Sequence, residues 1–243
     1  MKGTEMDNRL FGKTIIWNGD SICAGKHFDD SKEADAWAGR IAKKYSMTYK
    51  NYAVGGGTIA ENVTLGQKTY HSVSGTLDIM KEEFPHADYV IIEGGTNDAD
   101  LFDAEIGTPE RIGSFTQDDF SGNYDRNTFC GALESIFYRA TAYWKGARIG
   151  YIVAHKMGPK PSDLPRRRAY FEKAIEICKK WGIPYIDLWE RSYLNPLLPH
   201  MYDPSQNADG NVEAGSFYAD GQHLTAKGYD LLTDIIDPWL NSL

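Results

Sequence analysis

The sequence predicts an α/β protein, a three-layer α/β/α sandwich in which helices cover both faces of a five-stranded parallel sheet. Short apolar runs alternate five times with segments of helical periodicity, and this alternation is typical of parallel strands joined by right-handed crossovers. Several apolar runs stop abruptly at glycine, as buried strands often do at a turn. The 243 residues contain no internal repeat or convincing linker. We therefore expect one domain over residues 1–243.

The first half of the chain supplies three predicted strands. Each is a short run with β-branched or aromatic residues, and they lie at residues 15–17, 47–54 and 88–93. Between the first two, residues 35–45 carry Trp37, Ile41 and Tyr45 four positions apart, which predicts an amphipathic helix. A short helix is predicted at residues 77–84.

Residues 98–127 show little periodicity, with several glycines and many acidic side chains. Such a long stretch without secondary structure is unusual in a compact domain, and stretches of this kind often form lids or walls of a site. We therefore expect a functional loop here.

The second half of the chain continues the alternation. Strands are predicted at residues 147–154 and 183–188, and helices at residues 128–144, 166–181 and 225–240. Thr225 is a suitable N-cap for the last helix. Two segments are predicted to be irregular, residues 155–165 and 189–219.

Charge and cysteine content narrow the class of protein. The formal net charge of -8 argues against nucleic acid or an anionic membrane as the main partner. Three widely spaced cysteines (Cys23, Cys130 and Cys178) form neither a disulfide framework nor a zinc motif, which favours a cytoplasmic protein. Residues 1–13 lack the apolar core of a signal peptide. If a signal peptide had been removed ahead of them, the protein would be an exported one. The oligomeric state is not evident from the sequence.

Small polar residues and glycines follow three of the predicted strands. They form the runs Gly19-Asp20-Ser21, Gly55-Gly56-Gly57 and Gly95-Thr96-Asn97-Asp98. One such turn indicates only a tight connection between a strand and a helix. The carboxyl ends of parallel strands meet at one edge of the sheet, where ligands bind in open α/β folds. The three runs together therefore indicate a site.

Ser21 is the candidate nucleophile, and a serine hydroxyl needs a base to take its proton. Asp220 and His223 lie three residues apart just before the last helix. This spacing lets the Asp220 carboxylate accept from Nδ1 of the imidazole, which leaves Nε2 as the base. Alone, the same pair could be a helix cap beside an exposed histidine. A metal at Asp220 and His223 would lack further ligands, so we expect no metal and no cofactor.

Acyl transfer also needs hydrogen-bond donors for the oxyanion. The backbone N–H groups of Ser21 and Gly56 are candidates for two donors, and the side-chain amide of Asn97 for a third. Each group also has a purely structural interpretation as part of a turn or helix start.

Other polar residues have simpler interpretations. Asp20 and Asp98 could be the paired carboxylates of a glycosidase, but turn stabilisation or helix capping is favoured. His155 could line the site, although a loop histidine without function is favoured. Arg166, Arg167 and Arg168 are interpreted as the solvated start of a helix, and Cys23 as a small buried side chain.

Four sequence blocks together resemble the SGNH hydrolases, a family of GDSL-like lipases and esterases. The blocks are Gly19-Asp20-Ser21-Ile22, Asn51-Tyr52-Ala53-Val54-Gly55-Gly56-Gly57, Gly95-Thr96-Asn97-Asp98 and Asp220-Gly221-Gln222-His223. The resemblance implies a flavodoxin-like sheet of strand order 2-1-3-4-5. It implies Ser21 as nucleophile, His223 as base and Asp220 as its partner. It also implies an oxyanion hole formed by Ser21, Gly56 and Asn97, with the spacing from Asn51 selecting Gly56.

The resulting hypothesis is a serine esterase that forms an acyl-enzyme and acts on a small-molecule or carbohydrate ester. Acidic, glycine-rich residues 98–127 do not resemble a large apolar lid, which favours short acyl groups such as acetyl. A carbohydrate substrate could stack on aromatic residues ahead of Asp220, although these rings could equally pack the loop onto the domain. The residues are Trp189, Tyr193, Tyr202, Phe217 and Tyr218.

Three alternatives stay open. Within the same chemistry, the protein could be a lysophospholipase or a thioesterase. From other classes, it could be a catalytically silent carbohydrate-binding protein, or a glycosidase that uses Asp20 and Asp98.

Overall fold

A parallel sheet of five strands forms the centre of the molecule. The computed structural model describes residues 8–25, 36–101, 111–158, 160–206 and 217–243. The strands of the sheet are β1 (Thr14–Asn18), β2 (Thr48–Asn51), β5 (Tyr89–Glu93), β6 (Arg148–Val153) and β7 (Tyr185–Asp187). They follow the order β2-β1-β5-β6-β7. Counted within this sheet, the order is 2-1-3-4-5, so the expected fold class and strand order are confirmed.

Helices connect the strands and cover the sheet. The longer ones are α2 (Trp37–Lys44), α3 (Val73–Glu83), α5 (Phe129–Tyr143), α6 (Asp163–Trp181) and α8 (Ala226–Ser242). Three one- or two-turn helices, α1 (Ser21–Ala24), α4 (Thr96–Leu101) and α7 (Leu188–Arg191), directly follow β1, β5 and β7. Thr225 caps α8, as expected, by accepting a hydrogen bond from the Gly228 N–H. No helix in these five ranges is long and apolar enough to cross a membrane.

Burial explains why the two central strands of the sheet, β1 and β5, have apolar sequences. Every residue of β5 is buried, and four of the five residues of β1 are buried. Both strands have neighbours on each side and helices over both faces, so they need apolar side chains throughout. The edge strand β2 is largely exposed and ends at Asn51, which is earlier than the strand predicted over residues 47–54.

Several boundaries differ from the predictions. Helix α6 begins at Asp163 and includes Pro165 in its first turn, where the missing N–H of proline removes no helical hydrogen bond. Most of α4 and α7 lies in segments that were predicted to be irregular, and Leu188, the last residue of a predicted strand, is the first residue of α7. The structure also adds an antiparallel hairpin of β3 (Thr64–Leu65) and β4 (Lys68–Thr69), whose two-residue strands are too short to give a periodic signal.

Residues 116–119, in the described part of the expected functional loop, are held by helices α5 and α6. Lys180 is in the last turn of α6, and that helix starts beside the carboxyl end of β6. The Lys180 ammonium donates to the carbonyls of Thr116 and Asp119, each at 2.6 Å, and pairs with Glu134. Residues 116–119 are therefore tied to the last turn of α6, whereas residues 98–101 of the same segment form most of α4. Residues 102–110 lie outside the described residues.

Candidate active site

Ser21 lies at the carboxyl end of β1, in the tight turn that leads into α1. Asp20 is the N-cap of this helix, and its Oδ1 accepts from the Ile22 N–H at 2.8 Å. Gly25 ends the helix with φ of 73°, a conformation that favours glycine. Ser21 itself is 6% exposed. A strand, an N-cap and a glycine C-cap therefore fix the position of its hydroxyl.

The structure brings Asp220, His223 and Ser21 into one hydrogen-bonded chain. The Asp220 Oδ2 is 2.7 Å from His223 Nδ1, and His223 Nε2 is 2.8 Å from Ser21 Oγ. Since a carboxylate only accepts, Nδ1 carries the hydrogen and Nε2 is left to accept from the serine hydroxyl. The arrangement has the geometry of a nucleophile, a base and an orienting carboxylate.

The loop that carries Asp220 and His223 is closed by its own backbone. The Ala219 N–H donates to the His223 carbonyl at 2.8 Å, and the Thr225 N–H donates to the Phe217 carbonyl at 3.0 Å. Inside the loop, Asp220 Oδ1 accepts from the His223 N–H at 2.7 Å. These local hydrogen bonds therefore orient the imidazole independently of its contact with Ser21.

The electrostatics of the loop suit a general base. Burial alone would lower the pKa of His223, but the hydrogen bond and charge of Asp220, together with the charge of Asp20, raise it above the ordinary histidine value. Burial would raise the pKa of Asp220, but the hydrogen bond to the His223 ring, the charge of His223 and the N–H groups of His223 and Gln222 together lower it. Asp220 is therefore a carboxylate at neutral pH and stabilises the protonated imidazole.

Potential oxyanion donors surround Ser21. The Ser21 and Gly56 N–H groups have no acceptor among the described residues, and Gly56 has φ of 79°. The Gly57 N–H is used in a turn, since it donates to the Val54 carbonyl at 2.9 Å. Asn97 Nδ2 donates one hydrogen bond to the Gly57 carbonyl at 2.9 Å and has a second N–H. This geometry favours Gly56 over Gly57 as the donor.

The glycosidase alternative is wrong because neither carboxylate can meet a substrate. Asp20 and Asp98 are both fully buried. Asp98 accepts from the N–H groups of Ile59 at 2.8 Å and Ala60 at 3.0 Å, and burial raises its pKa to about 7. The two residues stabilise turns, as the favoured interpretation held, although Asp98 does so across the chain rather than at its own helix.

His155 and Arg167 are more than the loop and surface residues that the sequence suggested. His155 is fully buried, its Nε2 donates to the Gln222 carbonyl at 3.0 Å, and burial lowers its pKa to about 4. The Arg167 side chain is 8% exposed and binds both oxygens of Asp100, at 2.8 and 2.7 Å, and Gln222 Oε1 at 3.1 Å. Both residues support the loop of His223. No sequence pattern identified them, because their partners are distant in the chain.

The aromatic residues ahead of Asp220 divide into two groups. Trp189 and Tyr218 are buried, and the Tyr218 hydroxyl donates to the Lys156 carbonyl at 2.5 Å, so these two pack the loop onto the domain. Tyr193 is 60% exposed and makes an edge contact with the partly exposed Phe217, at 6.4 Å between ring centroids. Tyr202, the fifth of these residues, is half-buried like Phe217, so Tyr193 is the ring most accessible to a substrate.

Metal-binding residues are not gathered in the part of the chain that the structure describes. Within it, no three His, Cys, Asp or Glu side chains form a group able to hold an ion. Cys23, Cys130 and Cys178 are buried thiols.

Solved structures of other proteins share this fold. The chain is similar in fold to a Lactobacillus plantarum protein (TM-score 0.70, 19% identity, 96% of this chain and 99% of the other). It is also similar to the lipase/acylhydrolase from Enterococcus faecalis (TM-score 0.59, 17% identity, 95% and 96%) and to the acetyl xylan esterase AlAXEase (TM-score 0.58, 14% identity, 95% and 100%). No curated protein matches the chain in sequence.

A family model spans most of the sequence. It is that of the GDSL-like lipase/acylhydrolase family, and it matches residues 18–231. This range begins just before Ser21 and ends beyond His223, so it contains all four sequence blocks. The chain therefore belongs to the GDSL-like lipase/acylhydrolase family and is a carboxylic ester hydrolase.

Proposed function

We propose that this hydrolase is a serine esterase that removes short acyl groups, acetyl above all, from carbohydrate, with Ser21, His223 and Asp220 as its catalytic residues. The observation that carries the proposal is the hydrogen-bonded chain of these three side chains, with distances of 2.7 and 2.8 Å. A nucleophile, a base and an orienting acid in contact are what acyl transfer through a covalent intermediate requires.

In the first half-reaction, Ser21 Oγ attacks the ester carbonyl carbon while its proton moves to His223 Nε2. The carbonyl oxygen becomes an oxyanion, which accepts from the Ser21 and Gly56 N–H groups and the Asn97 amide. The imidazolium then gives its proton to the departing alkoxide oxygen, and the carbon–oxygen bond to the alcohol breaks. Ser21 is left as an acyl ester.

In the second half-reaction, His223 Nε2 takes a proton from a water molecule as the water oxygen attacks the acyl carbon. The tetrahedral intermediate collapses, the bond to Ser21 Oγ breaks and the proton returns to that oxygen. The carboxylic acid is released and the enzyme regains its starting protonation state.

Two observations support a short acyl group on a carbohydrate. Residues 98–127 are acidic and rich in glycine, and residues 116–119 among them are tied to Lys180 of α6, so this segment does not resemble the apolar cover that long acyl chains need. Exposed rings suited to stacking on sugar faces are present in Tyr193 and Phe217. Among proteins of similar fold, AlAXEase is an acetyl xylan esterase.

A substrate panel tests the proposal. It compares 4-nitrophenyl esters of increasing chain length with acetylated oligosaccharides, using wild type and Ser21→Ala. We expect acetyl esters to give the highest kcat/KM, acetylated oligosaccharides to be cleaved, and Ser21→Ala to be inactive. Preference for long acyl chains or for thioesters would overturn the substrate class. Activity retained in Ser21→Ala, or no labelling of Ser21 by a fluorophosphonate, would overturn the mechanism.

A further inference from the structure

Two carboxyl groups lie together in the core directly beneath the nucleophile. Glu93 is the last residue of β5 and Asp20 precedes Ser21, and both are fully buried. Glu93 Oε2 accepts from the Asp20 N–H at 3.2 Å. A Cβ at Gly19 would lie 2.7 Å from the same Oε2, so glycine at that position makes room for the Glu93 carboxyl.

The hydrogen bonds of this pair leave one oxygen on each carboxyl without a donor. Asp20 Oδ1 accepts from the Ile22 N–H at 2.8 Å, whereas Asp20 Oδ2 and Glu93 Oε1 are buried without a donor among the described residues. The Thr96 hydroxyl also interacts with Asp20 and the Cys23 N–H with Glu93, but two ionised carboxylates held together in the core would still repel each other. A single proton between the two groups removes this repulsion and joins them by a hydrogen bond.

The groups around the pair decide where its charge belongs. Four titratable side chains lie close enough to interact with the pair, on α4, β6, α8 and the loop before α8, and these are Asp98, Tyr151, Tyr229 and His223. Of these four, only His223 can carry a positive charge, and it acts on Asp20. The other three offer no positive charge to a second carboxylate. The negative charge is therefore better placed on Asp20 and the proton on Glu93.

We propose that Glu93 holds a proton at neutral pH and donates it to Asp20, so that the pair carries one negative charge that stabilises the imidazolium form of His223. The shifts in pKa agree with this assignment. Burial, followed by the charge of Asp20, raises the pKa of Glu93 well above its ordinary value. Burial also raises the pKa of Asp20, but the hydrogen bond from the Ile22 N–H and the charge of His223 oppose the rise.

Asp20 and Glu93 are therefore positioning residues. Neither touches the reacting atoms, and they act through His223, whose imidazolium is stabilised by the charge of Asp20 in addition to that of the loop carboxylate Asp220. The consequence for catalysis rests on the proposed role of His223 as general base, whereas the proton on Glu93 does not.

Isosteric variants separate this arrangement from ordinary core packing. In Glu93→Gln, the amide can accept from the Asp20 N–H and donate to Asp20 Oδ2, so the charge of the pair stays the same. We expect kcat/KM within about threefold of wild type, which corresponds to about 0.7 kcal/mol of activation free energy. The acid limb of the pH profile should be unchanged. A shift of that limb to lower pH in Glu93→Gln would mean that a negative charge was lost and would overturn the proposal.

The double variant Asp20→Asn/Glu93→Gln removes the charge itself. Asparagine is also a good N-cap, so α1 is expected to form. We expect the acid limb to move to lower pH and kcat to fall, because the imidazolium loses a stabilising anion. An unchanged limb would overturn the electrostatic role. Glu82→Gln, at an exposed position, is the matched control and should change neither quantity.

Infrared spectroscopy tests the proton without any need for activity. Wild type should show the carbonyl stretch of a protonated glutamic acid, which shifts on ¹³C labelling of glutamate and is absent from Glu93→Gln. Labelled wild type alone is sufficient if that variant fails to fold. Absence of the band at neutral pH would overturn the inference even in an active enzyme. Its presence in a protein without esterase activity would leave the proton established and the proposed function wrong.

Discussion

At the scale of single residues, Asn97 is held by one hydrogen bond and has a second one to offer. Its Nδ2 donates to the Gly57 carbonyl at 2.9 Å, which ties the start of α4 to the turn of Gly56. A donor fixed in this way does not need to reorganise when the oxyanion forms, and that is the condition for strong transition-state stabilisation.

Loss of the amide in Asn97→Ala is expected to lower kcat by roughly 10²–10³, with a much smaller change in KM. The lost bond to Gly57 should cost about 1 kcal/mol of stability. Steady-state kinetics on 4-nitrophenyl acetate and a thermal melt measure the two effects. Asn123→Ala, at an exposed position, is the control and should match wild type. A kcat within threefold of wild type would exclude Asn97 as an oxyanion donor.

His223 sets the acid limb of the pH profile. Burial lowers its pKa, but Asp220 and Asp20 raise it overall, and the base must be neutral to act. We expect kcat/KM of wild type to fall as the pH drops through a pKa above the ordinary histidine value of about 6.5. In Asp220→Asn, this pKa should decrease and kcat should fall by on the order of 10³–10⁴. A profile whose acid limb is the same in both proteins would contradict this role of Asp220.

At the scale of elements, Arg167 connects three pieces of the chain that contribute to the site. It lies on α6, binds both oxygens of Asp100 on α4, and reaches Gln222 in the loop of His223. The helix α4 also carries Asn97. One buried guanidinium therefore fixes the helix of an oxyanion donor relative to the loop of the base.

Replacement in Arg167→Met is expected to destabilise the fold by roughly 3 kcal/mol, since it removes two charge-assisted hydrogen bonds to Asp100 and one hydrogen bond to Gln222. Arg166→Met is the matched control, because Arg166 is 38% exposed and lies 3.9 Å from the same carboxylate. It should cost less than about 1 kcal/mol. Urea unfolding measures both values, and equal losses in the two variants would contradict the buried role of Arg167.

At the scale of the whole molecule, buried titratable groups make stability depend on pH in opposing ways. His155 has a pKa of about 4 in the folded protein and 6.5 as its reference value, so the unfolded chain binds its proton first as the pH falls. Its stabilising contribution is complete above about pH 6.5 and is lost towards about pH 4. Asp98, whose pKa is raised by burial to about 7, acts in the opposite direction, because the folded protein takes up its proton first.

The difference between wild type and His155→Gln isolates the histidine contribution. Glutamine can still donate to the Gln222 carbonyl, but it does not titrate. We expect the unfolding free energy of wild type to fall relative to the variant by roughly 3 kcal/mol between about pH 6.5 and about pH 4. Urea unfolding at several pH values measures this, with the exposed His200→Gln as control. A difference that is independent of pH would show that His155 is protonated equally in both states.

Local patterns in the sequence were sufficient for the fold and for the candidate catalytic residues. Short apolar runs, three of them followed by glycine, identified the strands of the sheet, and burial on both faces explains the apolar runs of the central strands β1 and β5. Asp220 and His223 are three residues apart, and such a short spacing limits their geometry directly. The assignment of Ser21, Gly56 and Asn97 as partners needed the four blocks together, and their catalytic roles stay predictions.

Only the tertiary structure established the contacts between residues that are far apart in the chain. The contact of Ser21 with His223 joins residues 202 positions apart, and the burial of Glu93 against Asp20 joins residues 73 positions apart. The sequence suggested a solvated Arg167 and a loop histidine at 155, because neither residue has its partners nearby in the chain. Burial and charge pairing depend on which helices and loops pack together, and this packing cannot be predicted from local sequence patterns.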